Sequence, residues 1–327
     1  MKHIAVLYKI LFVLLLEFTA VATINAQTPT QLNINSGNIV IPSTPNVEYV
    51  ITGNGTVTSN TITIESGYVG TITLQNVKIT RTGANAKSSS CMTVKGRYFT
   101  GTTMTEDTKK SNLNPLTIVN FILDGTNEFY LFPDNTSGTN ATSEYCAIQV
   151  DRGAQIHISA KDPNDNTSGV LIAKSTIKQP GGDGTNRNYG NGGAGIGSKN
   201  FAGTGTNSNQ GKIQIFNNGV EYSQRFASGG NIIISSGTIT AWGGHGAGIG
   251  GGWYTFYDGI IVVYGGVVNA RTATHSAGIG SGCPPDGYGV RLQYYADNSM
   301  ILALPPFGYN GFWRRNEFYG FKSNFGS

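Results

Sequence analysis

Apolar positions recur along this chain in short alternating runs. Tyr49-Val-Ile-Thr52, Thr61-Ile-Thr-Ile64, Thr71-Ile-Thr-Leu74 and Val77-Lys-Ile79 open the series, and Leu116-Thr-Ile-Val119 and Glu128-Phe-Tyr-Leu131 continue it. Ala147-Ile-Gln-Val150, Gln155-Ile-His-Ile158 and Gly169-Val-Leu-Ile-Ala173 then form a triplet. Alternation with period two in Ile, Val and Thr predicts short strands with one buried face. Gly, Asn, Asp and Ser separate the runs and predict turns between them.

A repeat overlies the alternation. Ala-Gly-Ile-Gly stands at Ala194–Gly197, Ala247–Gly250 and Ala277–Gly280, so the first interval is much the longer of the two. Asn231-Ile-Ile-Ile234 and Thr238-Ile-Thr-Ala241 precede the second copy, and Ile260-Ile-Val-Val263 and Val267-Val-Asn-Ala270 precede the third. The longer interval carries its excess between Gly197 and Gly229, with a strand of its own at Lys212-Ile-Gln-Ile215. Strand triplets restated every ~25–30 residues predict an all-β parallel β-helix, a solenoid of about seven to nine coils. No coil buries its apolar face alone, so coils stack into a continuous Ile and Val column. Glycine takes the corners, where the chain needs positive φ. The competing antiparallel sandwich would show hairpin signals at roughly 8–12-residue spacing and no restated motif.

Gly246-Ala-Gly-Ile-Gly-Gly-Gly252 with Gly230 to Trp242, and Ser276-Ala-Gly-Ile-Gly-Ser-Gly282 with Gly259 to Ala270, carry a family resemblance. They resemble the right-handed parallel β-helix repeats of secreted bacterial surface proteins, described as carbohydrate-binding-domain or adhesin-like. The strong match covers about residues 140–290, and residues 31–139 match more loosely. The resemblance implies a right-handed coil and a surface-binding role. It specifies no ligand.

Composition narrows the class. Glycine is 46 of 327 residues, about twice the usual share, and charged residues are 12%, about half of it. Helical bundles need charged outer faces, and disordered chains lack the 39% hydrophobic and 10% aromatic content found here. Scarce charge suits a stack, because like charges on successive coils repel. The net charge of +4 is too small and scattered for a nucleic-acid surface. Lys2 and Lys9 precede the apolar residues Ile10 to Leu16 and Phe18 to Ala22, and the stretch ends at Ile24-Asn25-Ala26. Residues 1–26 therefore read as a secretory signal peptide, with Glu17 as a blemish. No membrane span is expected after cleavage. The product is expected to be secreted or held at the cell surface, with the periplasm left open. Export permits disulfides. Cys91 and Cys146 open similar segments and either pair on adjacent coils or stay free as small buried hydrophobes. Cys283 is the third cysteine.

No catalytic set emerges from the pattern. Glu106-Asp107 lies in a polar stretch beside Lys109-Lys110, and Asp162 and Asp165 lie in a turn-rich linker. Asp124, Asp183, Asp258 and Asp286 each precede Gly, which is first a turn signal. Asp258 and Asp286 follow successive Ala-Gly-Ile-Gly motifs, so they can share a face and make a weak candidate pair for Ca²⁺. No other cofactor is expected. His245 and His275 each stand two residues before the motif and can stack or share a ligand. Gly244-His245-Gly246 resembles the Gly-His-Gly segment of polygalacturonase-type hydrolases, but the other segments of that class are missing. Arg271 and Arg291 are available to a lyase, and no motif selects them.

The aromatic residues carry the binding expectation. Trp253, Tyr254, Phe256 and Tyr257 follow Gly250-Gly-Gly252, and Trp242 stands at the corresponding corner of the preceding coil. Rings held on a rigid scaffold suit the apolar faces of sugars. The alternative folds this loop back onto the wall and buries its rings. The chain thus divides into a signal peptide (1–26), a parallel β-helix (27–300) and an aromatic-rich cap or atypical tail (301–327). The expected function is non-enzymatic binding of a polysaccharide or surface glycan, adhesin-like. The alternatives are a polysaccharide lyase or glycoside hydrolase on the same scaffold, or a structural spacer of a larger adhesin.

Overall fold

A computed structural model describes residues 28–96, 115–132, 145–175, 192–199, 212–217, 220–252, 256–257, 259–272, 276–280, 291–294 and 300–304. The proposed signal peptide, Cys283 and residues 305–327 lie outside these. Strands dominate. The helices among the described residues are one short 3-10 turn, Ile34–Ser36, and one α-helical turn, Gly83–Ala86.

The strands form three parallel ladders. The first comprises Thr30–Asn33, Tyr49–Thr52, Val69–Gln75, the first half of Thr117–Phe132, Ala154–Ala160, Asn231–Ile234, Ile260–Val263 and Arg291–Tyr294. The second comprises Lys78–Thr82, the second half of Thr117–Phe132, Gly169–Ser175, Thr238–Gly243, Val267–Thr272 and Met300–Leu304. The third comprises Ile39–Ile41, Ile62–Ile64, Met92–Val94, Ile148–Val150, Ile196–Gly197, Ile249–Gly250 and Ile279–Gly280. From Val69 onward the chain visits first, second and third ladder in that order, and each pass lays its strands parallel to those of the pass before.

Alternation in the sequence sets which side chains face inward. Ile62–Ile64 reads buried, half-buried, buried, and Ala154–Ala160 repeats this along its whole length. Register then stacks like on like. Tyr49, Ile72, Phe121, Ile158, Ile234 and Val263 form one inner column. Ile39, Ile62, Met92, Ile148, Ile196, Ile249 and Ile279 form another. Each fully buried Ile or Phe removes enough apolar surface from water to contribute about 1.5–3 kcal/mol.

The passes are less regular in length than the motif suggests. Ile232, Ile261 and Leu292 follow one another at nearly even steps along the first ladder, whereas the step from Ile156 to Ile232 is more than twice as long. Long passes leave at corners and return in register, because a ladder constrains only the paired residues and closing a longer loop costs little more. The longest excursion contains an antiparallel hairpin, Lys212–Asn217 with Val220–Ser228, joined by the strand Phe256–Tyr257. The expected extra strand at Lys212 is one arm of it. Met300–Leu304 pairs with Val267–Arg271, so the second ladder continues into the segment assigned to the tail.

Cys91 and Cys146 are free and fully buried. Met92 stands opposite Ile148, which sets Cys91 level with Ala147 and leaves Cys146 one position out of step. The Cys91 thiol donates to the Tyr130 carbonyl at 3.2 Å, and the Cys146 thiol to the Gly197 carbonyl at 3.5 Å. Burial pushes the Cys91 thiol up to about 12 and raises that of Cys146 as well. Thiolate is the reactive species. A Cys283→Ser variant is therefore expected to show no titratable thiol when native and two after denaturation, measured with a disulfide-exchange chromophore. Rapid native labelling would show that these sites open.

Candidate functional site

The side chains with most chemistry lie on the outer face of the second ladder. Gly169–Ser175, Thr238–Gly243 and Val267–Thr272 each place an inward alanine at the same level: Ala173, Ala241 and Ala270. The residue after each alanine must point outward, because side chains alternate across a strand. Those residues are Lys174, Trp242 and Arg271. Tyr130 stands level with Lys174 on the preceding strand. A single outer row therefore reads Tyr130, Lys174, Trp242, Arg271.

The row is stacked tightly. Lys174 Nζ lies 4.3 Å from the Trp242 ring centroid and 5.7 Å from that of Tyr130. Arg271 Cζ lies 5.4 Å from the Trp242 centroid, from the strand on the other side. Lys174, Trp242 and Arg271 are half-buried. Arg271 Nε donates to Asn269 Oδ1 at 3.0 Å, which fixes the guanidinium along the row. Trp242 Nε1 has no hydrogen-bond partner among the described residues. Tyr130 and Phe132 stack at 5.5 Å with an interplanar angle of 16°.

Electrostatics make the row cationic. Burial holds the Lys174 ammonium below its ordinary range; Glu128 opposes this, and the like charge of Arg271 adds to it. Glu128 is itself bridged to Lys78 at 3.2 Å. Neither Lys174 nor Arg271 has a carboxylate within salt-bridge distance among the described residues. Burial pushes the Tyr130 phenol up to about 12, and the charge and hydrogen bond of Glu128 act in the same direction. The phenol therefore stays neutral, its hydroxyl donating to Glu128.

Matched against protein-family models, curated proteins and solved structures, the chain finds no counterpart. The functional reading rests on its own residues.

The expected site residues separate. Trp242 belongs to the outer row. Tyr257 does not present a ring to solvent: it is 4% exposed, and its hydroxyl donates to the Gly230 carbonyl. Its ring lies so close to Gly229 that a Cβ there would sit 2.1 Å from Tyr257 Cε2. Gly229, and Gly259 on the other side, thus make the slot that draws this ring into the wall. His245 is also buried, at 3% exposure, and Ser276 donates to its backbone carbonyl. Trp253, Tyr254, His275, Asp258 and Asp286 lie outside the described residues, as does the Phe256 side chain. Among the described residues no group of three or more His, Cys, Asp or Glu is gathered to hold a metal ion. No described helix is long and apolar enough to cross a membrane.

Lys174 and Tyr130 stand outside the sequence-based expectation, and Arg271 enters it only as a lyase base. Their signal is nonetheless in the sequence. Aligning the strands on Ala173, Ala241 and Ala270 puts Lys174, Trp242 and Arg271 in one column.

Proposed function

We propose that this chain is an exported, non-enzymatic surface protein that binds glycan along the outer face of a right-handed parallel β-helix. The row of Tyr130, Lys174, Trp242 and Arg271 carries this reading. Parallel strands hold these groups at fixed intervals of about 4.8 Å, so a chain-like ligand meets donors and a ring at regular spacing. Little ordering entropy is lost on binding to such a scaffold. Half-buried Trp242, Lys174 and Arg271 place a ring and two cations on a fixed frame, with buried Tyr130 behind Lys174. Glycan-array binding by the full chain is the test. Trp242→Ala, which removes the ring that spaces the two cations, is expected to weaken the best ligand about tenfold while leaving the circular dichroism spectrum unchanged. Unaltered array binding by this variant would refute the assignment of the row.

A lyase is the second reading, and one observation favours it. Lys174 holds its proton less firmly than usual, a property suited to a base that removes a proton beside a carboxylate. Elimination leaves an unsaturated sugar that absorbs in the ultraviolet. The binding reading expects no such absorbance from acidic polysaccharides, with or without added Ca²⁺. Its appearance would establish the enzyme.

A further inference from the structure

We infer that the outer row selects an acidic polysaccharide, one whose sugars carry carboxylates, over a neutral glycan. This deepens the glycan-binding reading and rests on it. The argument starts from which parts of the Trp242 ring remain available. In a neutral-sugar platform a ring offers a bare face to the apolar side of a pyranose. Here Lys174 approaches the ring from one neighbouring strand at 4.3 Å and Arg271 from the other at 5.4 Å. Both faces already carry a cation, and a sugar meets the edge of the row instead.

What that edge presents is charge. Lys174 and Arg271 stand two strands apart, about 9.5 Å in a parallel sheet. That separation is comparable to one disaccharide repeat, so alternate sugars of an extended chain can each bring a carboxylate to one cation. The two cations have no carboxylate partner among the described residues. Glu128, the nearest competitor, is engaged by Lys78 at 3.2 Å. The guanidinium, positioned by Asn269, can receive a carboxylate in a two-pronged contact. Lys174 supplies a point charge. Tyr130, buried at the next level, gives its hydroxyl to Glu128 and backs Lys174 with its ring. The Trp242 ring stands between the two cations.

The test is calorimetric titration of the full chain with two probes of one backbone: an oligogalacturonate and its fully methyl-esterified, uncharged form. The acidic oligomer is expected to bind at least about tenfold more tightly at low salt. Its advantage should shrink as NaCl rises past the point where screening reaches a few ångströms. Lys174→Met and Arg271→Met keep an apolar stem against the ring and should each remove most of that advantage, with Lys174→Arg restoring it. If a methionine variant does not fold, the salt dependence of the unaltered protein decides the matter. Equal binding of both oligomers, insensitive to salt, would overturn this inference and leave glycan binding standing. Binding of neither would overturn both. Equal binding of a short single-stranded DNA would show a generic anion surface and overturn the inference as well.

Discussion

Replacing Gly250 with alanine is expected to destabilise the protein by about 3 kcal/mol or more. Gly250 closes the second Ala-Gly-Ile-Gly motif in the third ladder, between Gly197 and Gly280. A Cβ there would stand 1.9 Å from the Gly280 carbonyl oxygen, and the equivalent Cβ on Gly197 would stand 2.0 Å from that of Gly250. These contacts are with backbone, which cannot swing away as a side chain can. Overpacking of this kind typically costs about 1–3 kcal/mol. The φ of +133° at Gly250 adds strain that an L side chain rarely tolerates, about 1 kcal/mol or more. Gly55 is the control: its φ is +83°, but nothing lies within 4 Å of a Cβ there. Gly55→Ala should therefore show the cost of backbone conformation alone, about 1 kcal/mol. Urea unfolding of the two variants separates the effects. If Gly250→Ala loses no more than Gly55→Ala, the backbone stack at this corner is not as described.

The same glycines show how much of the fold can be read from the sequence. Ala-Gly-Ile-Gly is recognisable as a repeat, and its isoleucines do stack as Ile196, Ile249 and Ile279. Period-two alternation locates the strands, because it is a local property of each one. Pass length is not local. The long pass from Ile156 to Ile232 returns to register through pairings that no nearby residue announces. Leu116–Val119 and Glu128–Leu131 read as separate strands broken by the Asp124-Gly125 turn signal. They are one strand, Thr117–Phe132, which bends at Gly125 with φ +69° and passes from the first ladder to the second.

The candidate site is half legible for a similar reason. Trp242 stands out as a large ring at a corner. Tyr257 stands out equally and is buried, because exposure depends on the space that Gly229 and Gly259 leave beside it. Lys174 and Arg271 carry no local motif. They acquire meaning only once three distant strands are laid side by side, and that alignment is a property of register.

Asn127 supplies the second large effect. It is fully buried and occupies the inner column that continues as Leu171, Ile239 and Val268. An amide in that column is tolerated because its groups are engaged. Its Oδ1 accepts from the Val77 N–H at 3.0 Å, and its Nδ2 reaches the carbonyls of Gly125 at 3.4 Å and Val170 at 3.5 Å. One side chain thus ties three successive passes together at the corner where the long strand changes ladders. Asn127→Leu keeps the branching and matches the column's apolar character, but its methyls are bulkier than the amide atoms they replace, so overpacking adds to the polar loss. It leaves the Val77 N–H without its side-chain acceptor. A buried donor or acceptor stripped of its partner costs about 1–3 kcal/mol, comparable to what the leucine gains by burial. Asn127→Ala gains no such burial and also leaves a cavity, so it is expected to lose about 3 kcal/mol. Amide exchange at Val77 should quicken in both variants, which a purely packing role for Asn127 would not produce. If Asn127→Leu raises stability and leaves Val77 protected, the corner is held by apolar stacking alone.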